Sequence, residues 1–343
     1  MRVLSSLLIL GLAGAPAFAQ TPAATLDIFH VDVEGGAATL IVTPARESVL
    51  VDAGWPGNEG RDVGRIKAAM KAAGITRIDH FITSHYHTDH VGGVPPLLAA
   101  NVPIGTFHDH GTMEAPYARD LAASYEAYTG AVKTRSTVKP GSALTLRAAT
   151  GGKPVVLNFL AAHGNVVGKA GKPNAACSSV AAKDDDPSDN ARSVVFVMSY
   201  GTFDFFDAGD LTWNTEAKLV CPDVKVTPVD VYQVTHHGLD ASNHPLLVQA
   251  LAPTVAVMNN GPRKGGSAPT VQTLKAVPSL KALYQLHRNV ATTPADNTAP
   301  ELIANLEEKP DEGHMVSVHV QADGRYEVVN HRTGEKRGFT SKQ

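Results

Sequence analysis

Apolar and polar positions alternate near the start of the chain in a way that predicts paired β-strands, followed by a change to a helical period. Residues 62–73 predict a helix, because Val63, Ile66 and Met70 fall on one face and Gly74 follows as a C-terminal stop. A strand follows this helix, so the order of strands, helix and strand predicts a layered α/β fold. The strands predicted in this part of the chain are 25–33, 37–43, 48–51 and 78–83.

The remainder of the chain continues the same mixture of short apolar strands and amphipathic helices. We expect residues 252–259 to form the last strand of the core. We expect residues 315–321 and 326–330 to form a hairpin around Asp323-Gly324 that completes the second of two sheets. The other predicted strands are 102–107, 155–161, 193–200, 202–207, 229–235 and 282–286, and the predicted helices end at 101 or cover 114–129 and 271–277.

The first residues have the pattern of a cleavable secretory signal. Residues 1–19 begin with the positive charge of Arg2, continue with an apolar run too short to span a bilayer, and end in Ala17-Phe18-Ala19. Cleavage before Gln20 predicts a secreted or periplasmic protein with no membrane span after signal removal. Residues 20–343 are then expected to form a single domain, with residues 165–190 as a polar, exposed insertion.

The charge balance and the cysteine content limit the classes of function that the sequence supports. The chain has 30 Lys and Arg against 33 Asp and Glu, without a basic block, so we find no strong signal for nucleic-acid binding. A secreted chain would expose its two cysteines, Cys177 and Cys221, to an oxidising compartment. The sequence is compatible with a disulfide between them and also with two buried free thiols.

The highest concentration of potential metal ligands in the sequence is a histidine-rich stretch directly after the strand at 78–83. His85 and His87 are two residues apart, so in an extended segment both project to one side and could chelate one ion. Asp89 and His90 follow where the chain turns and could face a second ion. Imidazole and carboxylate ligands without a thiolate suit zinc and similar divalent ions. An expression tag would lie at a terminus instead.

The motif His-x-His-x-Asp-His after an apolar strand resembles the signature of the metallo-β-lactamase superfamily. This resemblance implies an α/β fold of the four-layer αββα sandwich type. It also implies two divalent metal ions, most simply zinc, held by histidines and aspartates in a fixed chain order. The ligands of the first ion would be His85, His87 and His163, and those of the second ion would be Asp89, His90 and His236. Asp210 would bridge the two ions, with Asp207 as the competing choice. Asp52 would brace the histidine loop by hydrogen bonds.

Two further patterns look like the metallo-hydrolase domain of bacterial competence (DNA-uptake) channel proteins. The first is Asp32-Val33 before a glycine turn, followed by Asp52-Ala53-Gly54. The second is Arg192-Ser193, two apolar strands and Gly209-Asp210. The chain departs from that group in having Glu34-Gly35 at the turn and no histidine before Pro269.

These features together predict a secreted binuclear hydrolase that uses a metal-bridging hydroxide on a phosphodiester or similar ester. Asp89, His237 or His244 could relay the proton that the leaving group needs. A β-lactam or lactone ring-opening hydrolase and a non-catalytic, metal-stabilised binding protein are the alternatives. The substrate could be a small molecule or a polymer, and the oligomeric state stays open.

Two other polar stretches admit several interpretations. The residues of His108-Asp109-His110 could be ligands, shape a pocket or form a polar turn. The loop around Arg263 and Lys264 could meet an anionic group.

Overall fold

The computed structural model describes residues 24–113, 119–168, 171–309 and 312–342. The predicted signal at residues 1–19 and the start of the helix predicted at 114–129 lie outside these ranges. Among the helices that are described, none has the length and apolar character needed to cross a bilayer.

Short strands dominate the described residues, with helices inserted between the parallel ones. The strands are β1 (Leu26–His30), β2 (Thr39–Val42), β3 (Ser48–Val51), β4 (Ile78–Ile82), β5 (Ile104–Asp109), β6 (Arg135–Thr137), β7 (Ala143–Thr145), β8 (Val156–Ala162), β9 (Asn165–Val166), β10 (Lys172–Pro173), β11 (Val195–Tyr200), β12 (Phe203–Asp207), β13 (Asp223–Val224), β14 (Val231–Gln233), β15 (Val255–Met258), β16 (Ala282–His287), β17 (Ile303–Asn305), β18 (Val316–Val320), β19 (Arg325–Asn330) and β20 (Glu335–Thr340). The helices are α1 (Arg61–Ala72), α2 (Thr88–Val91), α3 (Val94–Ala99), α4 (Arg119–Ala131), α5 (Trp213–Ala217), α6 (Pro245–Leu251) and α7 (Ala268–Lys275).

Eighteen of these strands form two large mixed sheets, and β10 and β13 form a separate two-stranded antiparallel sheet. The first sheet has the order β20-β19-β18-β1-β2-β3-β4-β5-β6, and the second has the order β17-β16-β15-β14-β12-β11-β8-β7 with β9 paired to β8. Strands β3 to β6 are parallel in the first sheet, and β12, β14, β15, β16 and β17 are parallel in the second. Parallel neighbours need a crossover connection, which the helices supply except between β16 and β17, where two short 3-10 turns lie in the connection.

Three clusters of buried side chains show how the layers stack. The cluster between the sheets joins residues such as Ile28 of the first sheet to Phe205 of the second. On the outer face of the first sheet, residues such as Phe81 pack against Ile66 and other side chains of α1, α3 and α4. The outer face of the second sheet packs against α6 and α7, with Leu247 fully buried there. The layers are therefore helices, sheet, sheet and helices, which confirms the predicted αββα sandwich.

The C-terminal hairpin belongs to the first sheet, so the prediction that it completes the second sheet is wrong. Strand β18 pairs antiparallel with β1, from Leu26 opposite Val320 to His30 opposite Val316. Val318 lies in the cluster between the sheets. Both sheets have an apolar face in contact with that cluster. The alternation of apolar and polar residues in the hairpin therefore predicts that one face of the hairpin is buried in the cluster, but it does not indicate which sheet the hairpin joins.

Two other expectations about this half of the chain also change. Residues 255–258 are not the last strand of the core, because β16 and β17 extend the second sheet beyond β15. The insertion predicted at 165–190 is mostly exposed as expected, but Asp189 near its end is completely buried. Cys177 in the insertion forms a disulfide with Cys221, which attaches the segment to the second half of the chain.

Candidate metal centre

The histidine-rich segment, residues 84–90, connects the end of β4 to α2 and is called the metal loop here. His85 is fully buried and His87 is partly buried. Their atoms Nε2 of His85 and Nδ1 of His87 are 3.0 Å apart. Two imidazole nitrogens this close can face one ion, because metal–nitrogen bonds to zinc are about 2.0–2.1 Å long.

Asp210, which follows β12, places one carboxylate oxygen at the middle of the centre. Its Oδ2 atom is 3.2 Å from Nε2 of His90 and 3.9 Å from Nε2 of His85. The preceding Gly209 has a φ of 52°, and a Cβ atom there would lie 2.7 Å from Cβ of Ser84. Glycine therefore allows the end of β12 to approach the metal loop closely.

The two histidines after β14 take different positions in a tight turn, Thr235–Gly238. His236 and His237 have φ values of 55° and 54°, in the left-handed region that non-glycine residues rarely adopt. Nε2 of His237 lies 3.2 Å from Oδ2 of Asp89 and 3.2 Å from Oδ2 of Asp210. Nε2 of His236 lies 3.5 Å from Oδ2 of Asp210, while its Nδ1 is 3.0 Å from Oγ of Ser242.

Four buried residues consequently form the tightest group of potential metal ligands among the described residues. Asp89, His90, Asp210 and His237 each offer one ligand atom, and these atoms all lie within 4.8 Å of one another. We call them the four-residue cluster. The chain order suggested His236 as the ligand and His237 as a proton relay, whereas this geometry brings His237 into the cluster. Sequence alone does not reveal which of two adjacent histidines a left-handed turn directs inward.

Asp52 makes the contacts expected of a residue that braces the metal loop. Its Oδ1 accepts a hydrogen bond from the backbone N–H of Ser84 at 2.8 Å, and its Oδ2 accepts one from the Ser84 hydroxyl at 2.6 Å. Oδ2 also lies 2.7 Å from Nδ1 of His90. A proton held on Nδ1 by this carboxylate leaves Nε2 of His90 with its lone pair toward the cluster.

Electrostatics at the cluster favour a bound cation. Burial acts to raise the pKa of Asp210, but the neighbouring imidazoles of His237, His90 and His236 lower it more, so the pKa lies well below the usual range. Burial acts to lower the pKa of His90, yet the carboxylates of Asp210, Asp89 and Asp52 bring it well above its usual value. Converging carboxylates that stabilise a positive charge at this point would equally stabilise a divalent ion.

The environment of His85 complements this arrangement. Burial, followed by the nearby charge of His90, lowers the pKa of His85 well below its usual value. A neutral imidazole is the form that binds a metal ion. Imidazole and carboxylate side chains are ligands that zinc and similar divalent ions accept, so this donor set fits such an ion.

His163 lies outside the four-residue cluster, at the rim of the centre. It follows β8 with a φ of 52°, and its side chain is exposed. Its Nδ1 atom is 3.2 Å from Nδ1 of His110, which is buried. His110 in turn has its Nε2 atom 3.1 Å from Oδ2 of Asp189.

The other residues of the second histidine stretch take separate roles. Nε2 of His108 lies 3.2 Å from Nδ1 of His80. Asp109 forms an ion pair with Arg135 at 2.8 Å. Only His110 of this stretch therefore contacts a predicted ligand.

His244 and Asp207 also lie outside the four-residue cluster. His244 is the N-cap of α6, where its Nδ1 accepts a hydrogen bond from the backbone N–H of Leu246 at 3.3 Å, and its ring packs against Trp213. Burial raises the pKa of Asp207 to about 7, and its Oδ1 accepts a hydrogen bond from the backbone N–H of Gly209 at 2.9 Å. The proton-relay role of His244 stays a prediction.

The loop around Lys264 reaches the centre more directly than the sequence indicates. The Lys264 ammonium forms an ion pair with Oδ2 of Asp89 and lies 4.9 Å from the centre of the Trp55 ring. At Gly265, with a φ of 78°, a Cβ atom would lie 2.1 Å from the carbonyl oxygen of His237, so only glycine lets this loop pack here. Arg263 turns away and pairs with Glu308 instead.

An open cleft of about 900 Å³ borders the centre on the side of His236. His236 and Asn190 line its inner end, and Lys183 and Trp213 line the wall that the 165–190 segment contributes to. The cleft therefore meets the centre at His236, whose Nε2 atom lies 3.5 Å from Oδ2 of Asp210.

A comparison of the sequence with models of protein families agrees with the resemblance suggested by the His-x-His-x-Asp-His motif. The family model described as Metallo-beta-lactamase superfamily matches residues 31–167, which include β2 to β9 and the metal loop. No curated protein matches the chain.

Solved structures give weaker similarities. A metallo-β-lactamase with a HARLDQ motif from Cronobacter sakazakii is 16% identical, with a TM-score of 0.35 over 60% of this chain and 73% of that one. MEM-A1, a subclass B3 metallo-β-lactamase from a soil metagenome library, is 14% identical, with a TM-score of 0.34 over 77% of each chain. CmlA, a diiron β-hydroxylase from Streptomyces venezuelae, is 18% identical, with a TM-score of 0.38 over 76% of this chain and 48% of that one. Similarities this low say nothing about the activity of this chain.

These comparisons concern the superfamily and not the competence-protein subgroup, so that closer resemblance stays a prediction. Proteins of the superfamily bind two metal ions and are metal-dependent hydrolases or related enzymes. Residues 31–167, which contain the metal loop, are therefore similar to the metallo-β-lactamase superfamily, and this match covers less than half of the chain.

Proposed function

We propose that this protein is a metal-dependent hydrolase that binds two divalent ions, with zinc the best fit to its ligands. The observation that carries the proposal is the convergence on Oδ2 of Asp210. His90 and His237 approach this oxygen at 3.2 Å and His85 approaches it at 3.9 Å, although the four residues come from different parts of both sheets. A buried convergence of this kind is costly unless the charges are paired or bind a metal.

The two ion sites would share Asp210. His85 and His87 would hold the first ion together with His163. Asp89, His90 and His237 would hold the second ion, so His237 replaces His236 in the assignment made from chain order. His236 then lies beside the bridging carboxylate and faces the cleft, where it could contact substrate. When bound, the two ions would lower the pKa of a water molecule and polarise the bond to be cleaved.

The residues around the ions would orient the substrate and provide a charge complementary to that of the substrate. Lys264 is held by a tightly packed loop, is about one-third exposed, and carries its ammonium to the edge of the centre. Its charge favours a substrate with an anionic group next to the scissile bond. Asp89, which contacts both Lys264 and His237, is the best-placed residue to carry a proton toward a leaving group.

A phosphodiester or similar ester suits this arrangement and agrees with the resemblance to competence proteins. The same lysine could instead bind the carboxylate of a β-lactam, so ring opening of a β-lactam or lactone is the second candidate. The signal-like residues 1–19 support secretion or a periplasmic location, and the disulfide between Cys177 and Cys221 suits an oxidising compartment. We further propose that residues 20–343 act as one hydrolase domain on a small-molecule or polymer substrate.

Hydrolysis of bis-p-nitrophenyl phosphate and of nitrocefin, measured with and without a chelator, tests the proposal. We expect turnover of the phosphodiester that the chelator abolishes and that added Zn²⁺ restores. Turnover of nitrocefin alone would favour the second candidate. Bound metal without turnover of any ester or lactam would favour a binding protein. Equal activity with and without the chelator would refute metal-dependent hydrolysis.

The role of Lys264 can be separated from general charge effects by a neighbouring control. The variant Lys264→Met should raise KM for the anionic diester about tenfold, because one charge-assisted contact of about 1.4 kcal/mol is lost. Arg263→Met removes the same charge one residue earlier, where it pairs with Glu308, and should leave KM unchanged. Equal effects of the two variants would show that the lysine makes no direct contact.

A further inference from the structure

A buried carboxylate and a buried imidazole lie behind the rim of the centre, and neither belongs to the predicted ligands. Asp189 and His110 have 0% and 1% of their surface exposed. Oδ2 of Asp189 is 3.1 Å from Nε2 of His110, and Nδ1 of His110 is 3.2 Å from Nδ1 of His163. The three side chains therefore form a continuous line from a buried negative charge to His163.

We propose that His110 and Asp189 are positioning residues that fix the tautomer and orientation of His163 for the first ion. The inference rests on the proposed metal centre. The Nδ1–H of His163 would donate to Nδ1 of His110, and the Nε2–H of His110 would donate to Asp189. Nε2 of His163 is then unprotonated, which is the state needed to bind a metal ion.

The same carboxylate also holds the metal loop. Oδ2 of Asp189 accepts a hydrogen bond at 2.7 Å from the backbone N–H of Tyr86, the residue between His85 and His87. The Tyr86 ring lies 4.4 Å from the His110 ring, and its hydroxyl donates to the carbonyl oxygen of Gly111. Asp189 thus connects the predicted ligand pair of the metal loop to the third predicted ligand of the same ion.

Backbone contacts of the same short segment support this arrangement. The segment Asp189–Arg192 is a single 3-10 turn, and the carbonyl oxygen of Arg192 accepts a hydrogen bond from the N–H of His163 at 2.9 Å. The backbone N–H of Val194 donates to the carbonyl oxygen of Ser84 at 2.8 Å. The turn is therefore fixed to both sides of the first ion site. Its position explains why a polar residue at the end of an exposed insertion is completely buried.

Zinc affinity of His110 variants tests the positioning role. His110→Leu removes both hydrogen bonds, and His110→Gln retains one acceptor and one donor in similar positions. His108→Leu is the matched control, because His108 lies two residues earlier on β5 and contacts His80 instead. Equilibrium dialysis with elemental analysis gives both zinc affinities, and the thermal midpoint of the metal-free protein shows whether each variant folds.

We expect His110→Leu to weaken one of the two zinc sites by about 10- to 100-fold, the range found when partners of metal ligands are removed. His110→Gln should recover most of that affinity, and His108→Leu should match the wild type. Asp189→Asn should weaken the same site, and it decides the question if His110→Leu does not fold. Wild-type affinities in both His110→Leu and Asp189→Asn, or no recovery in His110→Gln, would overturn the positioning role. A wild-type protein that binds no divalent ion would overturn the proposed function itself.

Discussion

At the scale of single residues, the centre depends on carboxylates that orient imidazoles. Asp52 contacts Nδ1 of His90 and also the backbone N–H and the hydroxyl of Ser84, so one side chain sets the direction of a ligand and the position of the metal loop. It adopts a φ of 59°, a left-handed conformation that aspartate tolerates better than most residues. The geometry of the ligand and the backbone of its neighbour are therefore coupled.

Replacing Asp52 by asparagine should weaken metal binding without removing a ligand. The amide retains one acceptor but lacks the charge that keeps the proton on Nδ1 of His90, so we expect zinc affinity to fall about 10- to 100-fold. Asp27→Asn is the control, because Asp27 forms an Asp–His pair of the same 2.7 Å length with His319, at a distance from the centre. Isothermal titration of both variants with zinc provides the comparison, and equal affinities would contradict the bracing role.

Residue-scale prediction from sequence works where ligands follow each other closely in the chain. The metal loop places His85, His87, Asp89 and His90 within one motif, and the structure brings the last two into the four-residue cluster. Lys264 reaches Asp89 across 175 positions of sequence, and no local pattern indicates such a contact. The burial of Asp189 is not predictable for a different reason, because its neighbours Ser188 and Asn190 are polar and only half-buried while its own side chain points inward.

At the scale of elements, helices near the second sheet are joined by a buried acid. Oε2 of Glu216 in α5 accepts a hydrogen bond at 2.8 Å from the backbone N–H of His244, the N-cap of α6. Burial, only partly offset by hydrogen bonds from His244 and its neighbours, raises the pKa of Glu216 to about 8. Burial therefore favours the protonated acid, whereas the hydrogen bond from His244 favours the carboxylate.

This pKa predicts how stability depends on pH. The folded protein holds the Glu216 proton up to about pH 8, whereas the unfolded chain loses it near the ordinary glutamate pKa of 4.5. Its contribution to the free energy of unfolding is complete below pH 4.5 and is lost as the pH rises toward 8. At about 1.4 kcal/mol per pKa unit, the loss is of the order of a few kcal/mol.

Glu216→Gln should therefore be less pH-dependent than the wild type between pH 5 and pH 8. Urea unfolding at several pH values measures the difference, and the exposed Glu126 on α4 supplies the control variant Glu126→Gln. Parallel pH profiles for the wild type and Glu216→Gln would show that the acid is ionised in the folded protein.

Elements were easier to predict than their pairing. Strand β3 and helix α1 fall where the apolar pattern places them, because periodicity directly reports the buried face. The hairpin of β18 and β19 was also predicted, but its partner sheet depends on which edge it meets across the core. Strand β20 was missed because its residues alternate between exposed and half-exposed positions at a sheet edge.

At the scale of the whole molecule, the centre joins the two sheets. Asp52 and the metal loop follow β3 and β4 of the first sheet, while Asp210 and His237 follow β12 and β14 of the second. Carboxyl ends of parallel strands commonly form binding sites, and here both parallel halves direct those ends to one place. Metal ions bound there would link the halves of the sandwich.

Metal binding should consequently stabilise the entire fold. Zinc at about 100 times its dissociation constant adds roughly 2.7 kcal/mol per site. At about 2–4 °C per kcal/mol, the thermal midpoint should rise by about 5 °C or more relative to chelated protein. Scanning calorimetry of the two samples gives this shift, and identical midpoints would mean that the ligands do not bind metal in the folded state.

The most direct measurement is the number of metal ions bound per chain in the wild type and in Asp210→Ala, determined by elemental analysis after equilibration with zinc. The account predicts two ions per wild-type chain and the loss of at least one in the variant, because Asp210 lies between both sites. No stoichiometric metal in the wild type, or two ions retained without Asp210, would contradict it.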